Sequence, residues 1–374
     1  MSHAQENGFS LKLRLHFGKA WIRPLLGIWH SGKALAKCSP PQTGFRRTMR
    51  SPKLNDLPEP PKGKIGWPWT EESTPLQHLT PAGREWPRIT IITPSFNQGA
   101  FIEETIRSVL LQGYPNLAYL IFDGGSTDNT VEIIKKYSPW LTYWVSEPDG
   151  GQSDAINRGL NMASGEFATW INSDDLLCKN ALVDHASHVG FETQTVYVGI
   201  CLYIDFNGVI LSSHHGRVHS LEDLVRIGTI WRSGGNIVQP EVLFPLGLAL
   251  SVGGLDRDNH FTMDYELWGK FFLAGAKFQY TDVPFGMFRS YPNQKTQNGL
   301  KQTQSLLNSA VKLATLSHCS EQVRKEILAD LDAYKEQYSK DYWRGTGRLA
   351  KIGLPPIIVN PIRRIRAMLQ KDAR

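Results

Sequence analysis

Four short clusters of polar residues have the side chains that chemistry would need. They read Thr93-Pro94-Ser95-Phe96-Asn97, Asp123-Gly124-Gly125-Ser126, Glu147–Asp154 and Asn172-Ser173-Asp174-Asp175. Carboxylate and amide oxygens can hold a hard divalent cation such as Mg²⁺ or Mn²⁺, and a carboxylate can also remove a proton. Each cluster is a weak signal alone, because Asp-Gly-Gly is common in turns and Asp174-Asp175 also suits a helix cap.

Strand-like and helix-like segments alternate around these clusters. Buried strands are predicted at 89–93, 117–122 and 167–171, and each of them ends at a polar cluster. Helices are predicted from Ile102, after Ser126 and from about Ser153 to Gly165. This alternation predicts an α/β fold with a mostly parallel sheet flanked by helices. Ligands bind beyond the carboxyl ends of such strands, so the clusters should converge on one rim.

The net charge of +6 is concentrated at the two ends of the chain. Residues 1–50 carry nine Lys or Arg against one acid, and residues 340–374 carry nine against two. A nucleic-acid binder usually carries positive charge on its folded domain, so nucleic acid is not expected as a partner. Basic residues alternate with Trp and Leu over residues 8–37, which fits a helix on an anionic membrane surface or a disordered leader.

Cysteine usage and hydropathy bear on location. The four cysteines are scattered without a CxxC pair, which favours reduced thiols in the cytosol. No apolar run reaches the roughly 20 residues of a membrane span, and basic residues interrupt every apolar stretch near the N-terminus. The expected location is therefore cytoplasmic, with peripheral binding at the inner face of the cell membrane as the role of the basic arm.

Taken together, the clusters resemble the family 2 glycosyltransferases of the GT-A fold. The resemblance covers roughly residues 88–296 and is carried by TPSFNQGAFIEETIRSVLLQGYPN, DGGSTDNT, SEPDGGQSDAINRGLNMASGE and NSDD. The chain lacks GxGxxG and GxxxxGK[ST], so a dinucleotide-binding fold or a P-loop is disfavoured. The resemblance implies a Rossmann-like sheet and inverting transfer of a sugar from a nucleotide-diphosphate sugar to an acceptor hydroxyl. Such transfer serves cell-surface polysaccharide or glycolipid synthesis.

The resemblance also implies a donor site. Asp123 would accept a hydrogen bond from the imide of the base, which fits uracil or thymine, and a UDP-sugar is the expected donor. Pro94, Ser95 and Phe96 would form the wall beside the base, and Asp154 would be a second acid near the base and ribose. Gly151 allows a ligand to approach the backbone closely.

A divalent cation, Mg²⁺ or Mn²⁺, is implied as the cofactor. Asp174 matches the metal-binding acid of the family's Asp-x-Asp motif, and the cation would bridge the diphosphate. Asn172 stands where the family often has Asp, so it would weaken metal binding or instead contact the sugar. Arg289 or Lys295, in the stretch that resembles the closing loop, would neutralise the diphosphate; a solvated basic loop is the alternative.

Asp264 matches the family's catalytic base, a carboxylate that takes the proton of the attacking hydroxyl. Asp256 is the competing base, and a plain helix cap is the alternative role of Asp264. Gln239 and Pro240 resemble the stretch that borders the acceptor. Trp231 precedes them, and its side chain suits either stacking on a sugar or packing in the core. A saccharide or lipid-linked acceptor is expected.

Three regions follow from this interpretation. Residues 1–87 form a basic arm and a Pro-rich strap, and residues 300–374 form a helical extension with a basic tail. The glycosyltransferase domain lies between them, with a donor half at 88–175 and an acceptor half at 176–299. Two other functions stay open: an inactive nucleotide-sugar-binding or scaffold protein, and a sugar nucleotidyltransferase, whose Gly-rich signature loop the chain lacks.

Overall fold

The computed structural model describes residues 51–230, 234–292, 294–297, 299–317 and 320–346. The basic arm at 1–50, Trp231 and the tail around Arg363 lie outside the described residues. Cys178 and Cys201 are buried free thiols. Within the described part of the chain, no helix combines the length and the apolar character needed to cross a membrane.

The first half of the body alternates strands and helices, as predicted. Its elements are β1 (Ile89–Ser95), α1 (Ile102–Leu110), β2 (Leu117–Asp123), α2 (Thr130–Tyr137), β3 (Tyr143–Ser146), α3 (Gln152–Met162) and β4 (Phe167–Trp170). The four strands are parallel, in the order β3-β2-β1-β4. The sequence pattern does not predict β3, whose four residues are all only half-buried.

The second half adds strands at one side of this parallel block. Its elements are β5 (Leu176–Leu177), α4 (Ala181–His188), β6 (Thr195–Ile204), β7 (Ile210–His214), α5 (Leu221–Val225), β8 (Val242–Pro245), α6 (Leu246–Ser251), α7 (Met263–Leu273), β9 (Lys277–Arg289), α8 (Gly299–Leu316) and α9 (Glu321–Thr346). Across the described residues the sheet order is β3-β2-β1-β4-β8-β6-β9-β5, with β7 paired to β6. The predicted α/β class with a mostly parallel sheet and flanking helices is confirmed, and every antiparallel pair involves β5, β7 or β8.

Side chains of the central strands alternate between two apolar layers. Ile92 and Leu120 face the layer that contains α3, α6 and α7, whereas Ile91 and Ile121 face the layer that contains α1, α2 and α4. All residues of β1 and β2 are buried, because helices cover both faces of this part of the sheet. Continuous apolar runs of this kind are what made both strands predictable.

The Pro-rich strap, residues 51–87, lies against α1 and the second of these layers. Arg107, on α1, is buried and donates to the carbonyls of Pro58 (2.8 Å), Trp69 (3.0 Å) and Pro68 (3.1 Å). Trp67 donates from Nε1 to the carbonyl of Leu177 at 2.9 Å. One arginine side chain thus satisfies three backbone carbonyls of the strap.

Helix α8 packs on α7, and α9 packs on α8. Leu306, Leu307, Ala310 and Leu313 of α8 and Ile327 and Leu331 of α9 are buried. A Cβ at Gly269 of α7 would lie 2.3 Å from Leu313, so α8 crosses where α7 has no side chain. Leu316, the last residue of α8, is 54% exposed.

Replacing Arg107 with leucine should loosen the strap. The change leaves three strap carbonyls without their donor, and each unpaired buried group costs about 1–3 kcal/mol. We expect a lower melting temperature and faster protease cleavage within residues 51–87. Arg84→Leu, at an exposed position of the strap, is the matched control. Wild-type melting and cleavage in Arg107→Leu would show that the strap is held by other contacts.

Candidate active site

The ends of three parallel strands bring the first polar clusters together. Ser95 ends β1 opposite Asp123, which ends β2, and Asp123 is in turn opposite Ser146, which ends β3. The loop before α3 also meets this edge, because the Glu147 N–H donates to the Asp123 carbonyl at 3.0 Å. The structure thus places three of the four clusters on one rim, as the alternation of strands and helices predicts.

Asp123 is 1% exposed and organises this rim. Its Oδ2 accepts from the Ser126 N–H (2.9 Å), the Gly125 N–H (3.2 Å) and the Ser146 hydroxyl (2.6 Å). Its Oδ1 accepts from the Ser126 hydroxyl at 2.5 Å. Since a carboxylate oxygen has two lone pairs, Oδ1 keeps acceptor capacity for one further donor.

The predicted wall beside the base is only partly open. Pro94 and Ser95 are buried, and the Ser95 Oγ has no hydrogen-bond partner among the described residues. Phe96 is 59% exposed, which is unusual for an aromatic ring of this size. An exposed ring next to a buried hydroxyl and the Asp123 carboxylate forms a surface on which a planar group would stack.

Gly151 precedes α3 with a φ of 97°, a conformation that side chains other than glycine rarely adopt. Its N–H donates to Asp149 Oδ1 at 2.7 Å. Asp154, in the first turn of α3, pairs with Arg257 at 3.1 Å. The pair joins this turn to the loop after α6, so Asp154 is already engaged by a cation of the second half.

Asn172, beyond the end of β4, holds a network of side-chain amides. Its Oδ1 accepts from Gln152 Nε2 at 2.7 Å, and its Nδ2 donates to Asp175 Oδ2 at 3.0 Å and to Gln239 Oε1 at 3.4 Å. Gln152 Oε1 accepts in turn from Lys295 Nζ at 2.9 Å. The amide is therefore suited to this position, since it both donates to and accepts from its neighbours.

Asp174 and Asp175 are buried side by side. Asp174 Oδ2 accepts from the Tyr291 hydroxyl at 2.8 Å, and Asp175 Oδ1 accepts from the backbone N–H of Arg289 at 2.9 Å. Burial raises the pKa of both carboxyls, and the neighbouring Asp174 raises the pKa of Asp175 further. Tyr291 thus occupies Oδ2 of Asp174, and the Asn172 amide and the Arg289 backbone N–H occupy the two oxygens of Asp175.

Arg289 is completely buried and forms part of the framework of the site. Its guanidinium pairs with Glu104 at 3.0 Å and donates to the carbonyls of Phe206 (2.8 Å) and Asp174 (2.9 Å). A side chain in this position cannot reach a ligand at the rim. Its placement therefore does not support the prediction that Arg289 neutralises a diphosphate, and Lys295 is the candidate for that role.

Asp264 lies in the first turn of α7, where a carboxylate interacts favourably with the helix dipole. Its Oδ1 accepts from the Tyr265 N–H at 2.8 Å. Burial raises the pKa of this carboxyl, while the Tyr265 N–H and the ammonium group of Lys295 act in the opposite direction. Lys295 thus connects Asp264 electrostatically to the Gln152–Asn172 network.

Asp256, the competing base, is held by other groups. Its Oδ2 accepts from Lys312 at 3.1 Å, and its Oδ1 accepts from the Asp258 N–H at 3.0 Å. Burial alone would raise the pKa of Asp256, but the Asp258 N–H and Lys312 outweigh it and the pKa is lowered. A weaker base that is paired with a lysine is the poorer candidate for proton removal.

The predicted acceptor residues are more buried than expected. Gln239 donates to the Trp170 carbonyl at 2.5 Å, and Pro240 lies directly beneath β9, where a Cβ at Gly286 would come within 2.1 Å of the Pro240 carbonyl. This placement gives Gln239 a supporting contact with Asn172 and does not support direct contact with an acceptor. Trp231 lies outside the described residues.

The sequence analysis predicted neither Gln152 nor Tyr291 as a site residue. Gln152 stands within the quoted GGQSDA motif, and its position between Gly151 and Asp154 was the available signal. Among the described residues, no group of three or more His, Cys, Asp or Glu side chains is arranged to hold a metal ion.

Comparison with known proteins bears on the family and the fold. Residues 90–239 match the model of the family described as Glycosyl transferase family 2. An uncharacterized glycosyltransferase of Rickettsia typhi is 27% identical over 197 residues, which cover 51% of this chain and 60% of that protein. One from Mycobacterium tuberculosis is 39% identical over 90 residues, which cover 24% of this chain and 34% of the relative. The chain therefore spans less than two thirds of these curated relatives.

A solved structure shares the fold. S. aureus TarS 1-349 superimposes with a TM-score of 0.51 at 18% identity, covering 70% of this chain and 75% of that chain. This match covers more of the chain than the family segment does. Residues 90–239 of this chain are thus similar to glycosyl transferase family 2, and the chain has the fold of the GT-A glycosyltransferases.

Proposed function

We propose that this protein transfers a sugar from a nucleotide-diphosphate sugar to an acceptor hydroxyl, with inversion and with Asp264 as the base. The observation that carries the proposal is the chain of contacts from Asn172 through Gln152 to Lys295, whose charge acts on Asp264. It brings the donor motif of the first half next to a carboxylate of the second half. A displacement needs both at one place.

The nucleotide would bind at the rim formed by Ser95, Phe96 and Asp123. A base stacked on Phe96 would present its imide N–H to the free acceptor position of Asp123 Oδ1. Gly151 would let the diphosphate approach the start of α3, whose N–H groups favour anions. S. aureus TarS 1-349 was solved in complex with UDP, and this supports a uridine nucleotide as the donor carrier.

The residues present fit a magnesium or manganese ion that is bound mainly through the donor. Mg²⁺ is commonly held by one or two carboxylates together with substrate phosphates and water. Asp174 supplies one such carboxylate, and the Asn172 amide oxygen is already used by Gln152. When bound, the ion would offset the charge that develops on the departing diphosphate.

Asp264 would act on the acceptor. The acceptor oxygen forms a bond to the anomeric carbon as the bond from that carbon to the diphosphate oxygen breaks, and the hydroxyl proton passes to the Asp264 carboxylate. The raised pKa suits this role, since a more basic carboxylate accepts a proton more readily. Lys295, on the Phe261 ring at 5.7 Å, would face the diphosphate.

The acceptor class and the location remain part of the proposal. We expect a saccharide or lipid-linked acceptor in polysaccharide or glycolipid synthesis, and a basic arm that binds an anionic membrane surface. The arm, residues 1–50, lies outside the described residues, so this role still rests on its nine basic residues among Trp and Leu side chains.

Asp264→Asn should leave binding of a uridine nucleotide intact and lower kcat by about 10²–10⁴-fold, the loss typical of a missing general base. Binding is measured by calorimetry and transfer by release of nucleotide diphosphate in the presence of acceptor. Asp258→Asn, the same change at a nearby exposed position, is the control. Turnover close to wild type in Asp264→Asn would assign the base to another residue.

The pH dependence of kcat should report the same group. The base must be deprotonated, and burial raises the pKa of Asp264, so kcat should fall as the pH decreases through a value above the ordinary Asp pKa of about 3.9. This acidic limb should be absent from the residual activity of Asp264→Asn. A limb that persists in that variant would belong to a different group.

Asp174→Ala should abolish the part of nucleotide affinity that depends on the metal. We expect calorimetry with UDP to give the same affinity with and without Mn²⁺ in this variant, whereas Mn²⁺ tightens binding to the wild type. Asp282→Ala, at an exposed position of β9, is the matched control. A Mn²⁺ effect of wild-type size in Asp174→Ala would remove Asp174 from the cation site.

A further inference from the structure

The segment between α6 and α7, residues 252–262, is fixed to α3 by polar contacts. The Asn157 side chain binds the backbone of Leu255 twice, as acceptor from its N–H at 2.9 Å and as donor to its carbonyl at 2.8 Å. A Cβ at Gly254 would lie 2.5 Å from Asn157 Oδ1, so the glycine allows this clamp. The segment that leads to Asp264 therefore has a defined path along the donor half.

Asn259 is the residue of this segment with the most side-chain contacts. Its Oδ1 accepts from the Thr262 N–H at 3.0 Å and from the Ser305 hydroxyl at 3.0 Å. Its Nδ2 donates to Glu266 Oε2 at 3.2 Å and to the Ser309 hydroxyl at 3.1 Å. One amide thus joins the residue before α7, the first turns of α7 and two residues of α8.

The backbone of Asn259 reaches the donor half as well. Its carbonyl accepts from the Ser153 hydroxyl, on the first turn of α3, at 3.3 Å. Ser153 lies between Gln152 and Asp154, both at the candidate donor site. Contacts from α3, α7 and α8 therefore converge on this single residue.

Asn259 lies just before α7, so its contacts bear on the first turn of that helix. Thr262 stands at the N-cap position of α7 without a side-chain capping hydrogen bond, and Asp264 lies in the first turn of the helix. The first N–H groups of a helix have no partner within it, and a side-chain acceptor ahead of the helix fixes the geometry of that turn. Asn259 therefore restricts the turn from which the Asp264 carboxylate projects.

We propose that Asn259 is a positioning residue for Asp264. Helix α8 contributes to this positioning, because its Ser305 and Ser309 hydrogen-bond to Asn259. The proposal rests on the proposed function for the role of Asp264. It extends that function to a helix beyond the family segment, which ends at residue 239. Displacing a reacting group by about 1 Å can cost about 10²-fold in rate, so this turn must be held firmly.

Asn259→Asp tests the proposal with little change in shape. A carboxylate at this position faces Glu266, which is buried, so repulsion replaces the hydrogen bond. We expect kcat to fall about 10- to 100-fold while KM for the donor stays unchanged, because the donor rim keeps its residues. Hydrogen–deuterium exchange should rise in peptides that cover residues 261–266.

A compensating change separates positioning from general damage. Asn259→Asp combined with Glu266→Gln reverses the direction of the one hydrogen bond, and the new amide can still accept from Lys312, which now binds Glu266 at 2.7 Å. The double variant should regain the wild-type kcat, and hydrogen–deuterium exchange at 261–266 should return to the slower wild-type rate. Gln304→Ala, on the exposed face of α8, is the control and should match the wild type.

The outcomes distinguish this proposal from the proposed function. A wild-type protein that transfers no sugar would defeat the function, while faster exchange in Asn259→Asp and its reversal in the double variant would still support the positioning of α7. Wild-type exchange in Asn259→Asp would overturn the positioning role. So would a wild-type kcat in that variant, or a double variant as impaired as the single one.

Discussion

The register of β1, β2 and β3 is the constraint on which the candidate site depends. It sets Ser95, Asp123 and Ser146 next to one another at the ends of their strands. Because the strands are parallel, the turns that follow them all leave from the same edge. Asp123 then fixes the glycine turn through hydrogen bonds from two backbone N–H groups. A shift of one residue in this register would send Asp123 to the opposite face of the sheet.

Buried acidic groups give the rim its electrostatic character. The pKa values of Asp174, Asp175 and Asp264 are all raised by burial. The buried guanidinium of Arg289 pairs with Glu104 and donates to the backbone carbonyl of Asp174. A diphosphate would add further negative charge here. Under the proposed function, this charge balance explains why the donor would arrive with a cation and why Lys295 stays close to Asp264.

The sequence predicts those parts of the structure that local patterns determine. Strands β1, β2 and β4 are apolar runs buried on both faces, and their polar ends are visible because strand and motif meet there. Strand β3 has no such pattern, since its residues are half-buried. The pairing of Arg289 with Glu104 and the contact of Asn172 with Gln239 join residues 185 and 67 positions apart in the chain, which local spacing does not reveal. The family resemblance located the motifs but not these partners.

Strand β8 lies outside the segment that matches the family but inside the sheet. The family match ends at residue 239, yet β8 begins at Val242 and lies between β4 and β6, hydrogen-bonded to both. A fragment trimmed to the matched residues would lack the strand that joins the two halves of the sheet. It would also expose the edge of β6 that β9 covers. The segment that matches the family is thus shorter than the segment that forms the whole sheet.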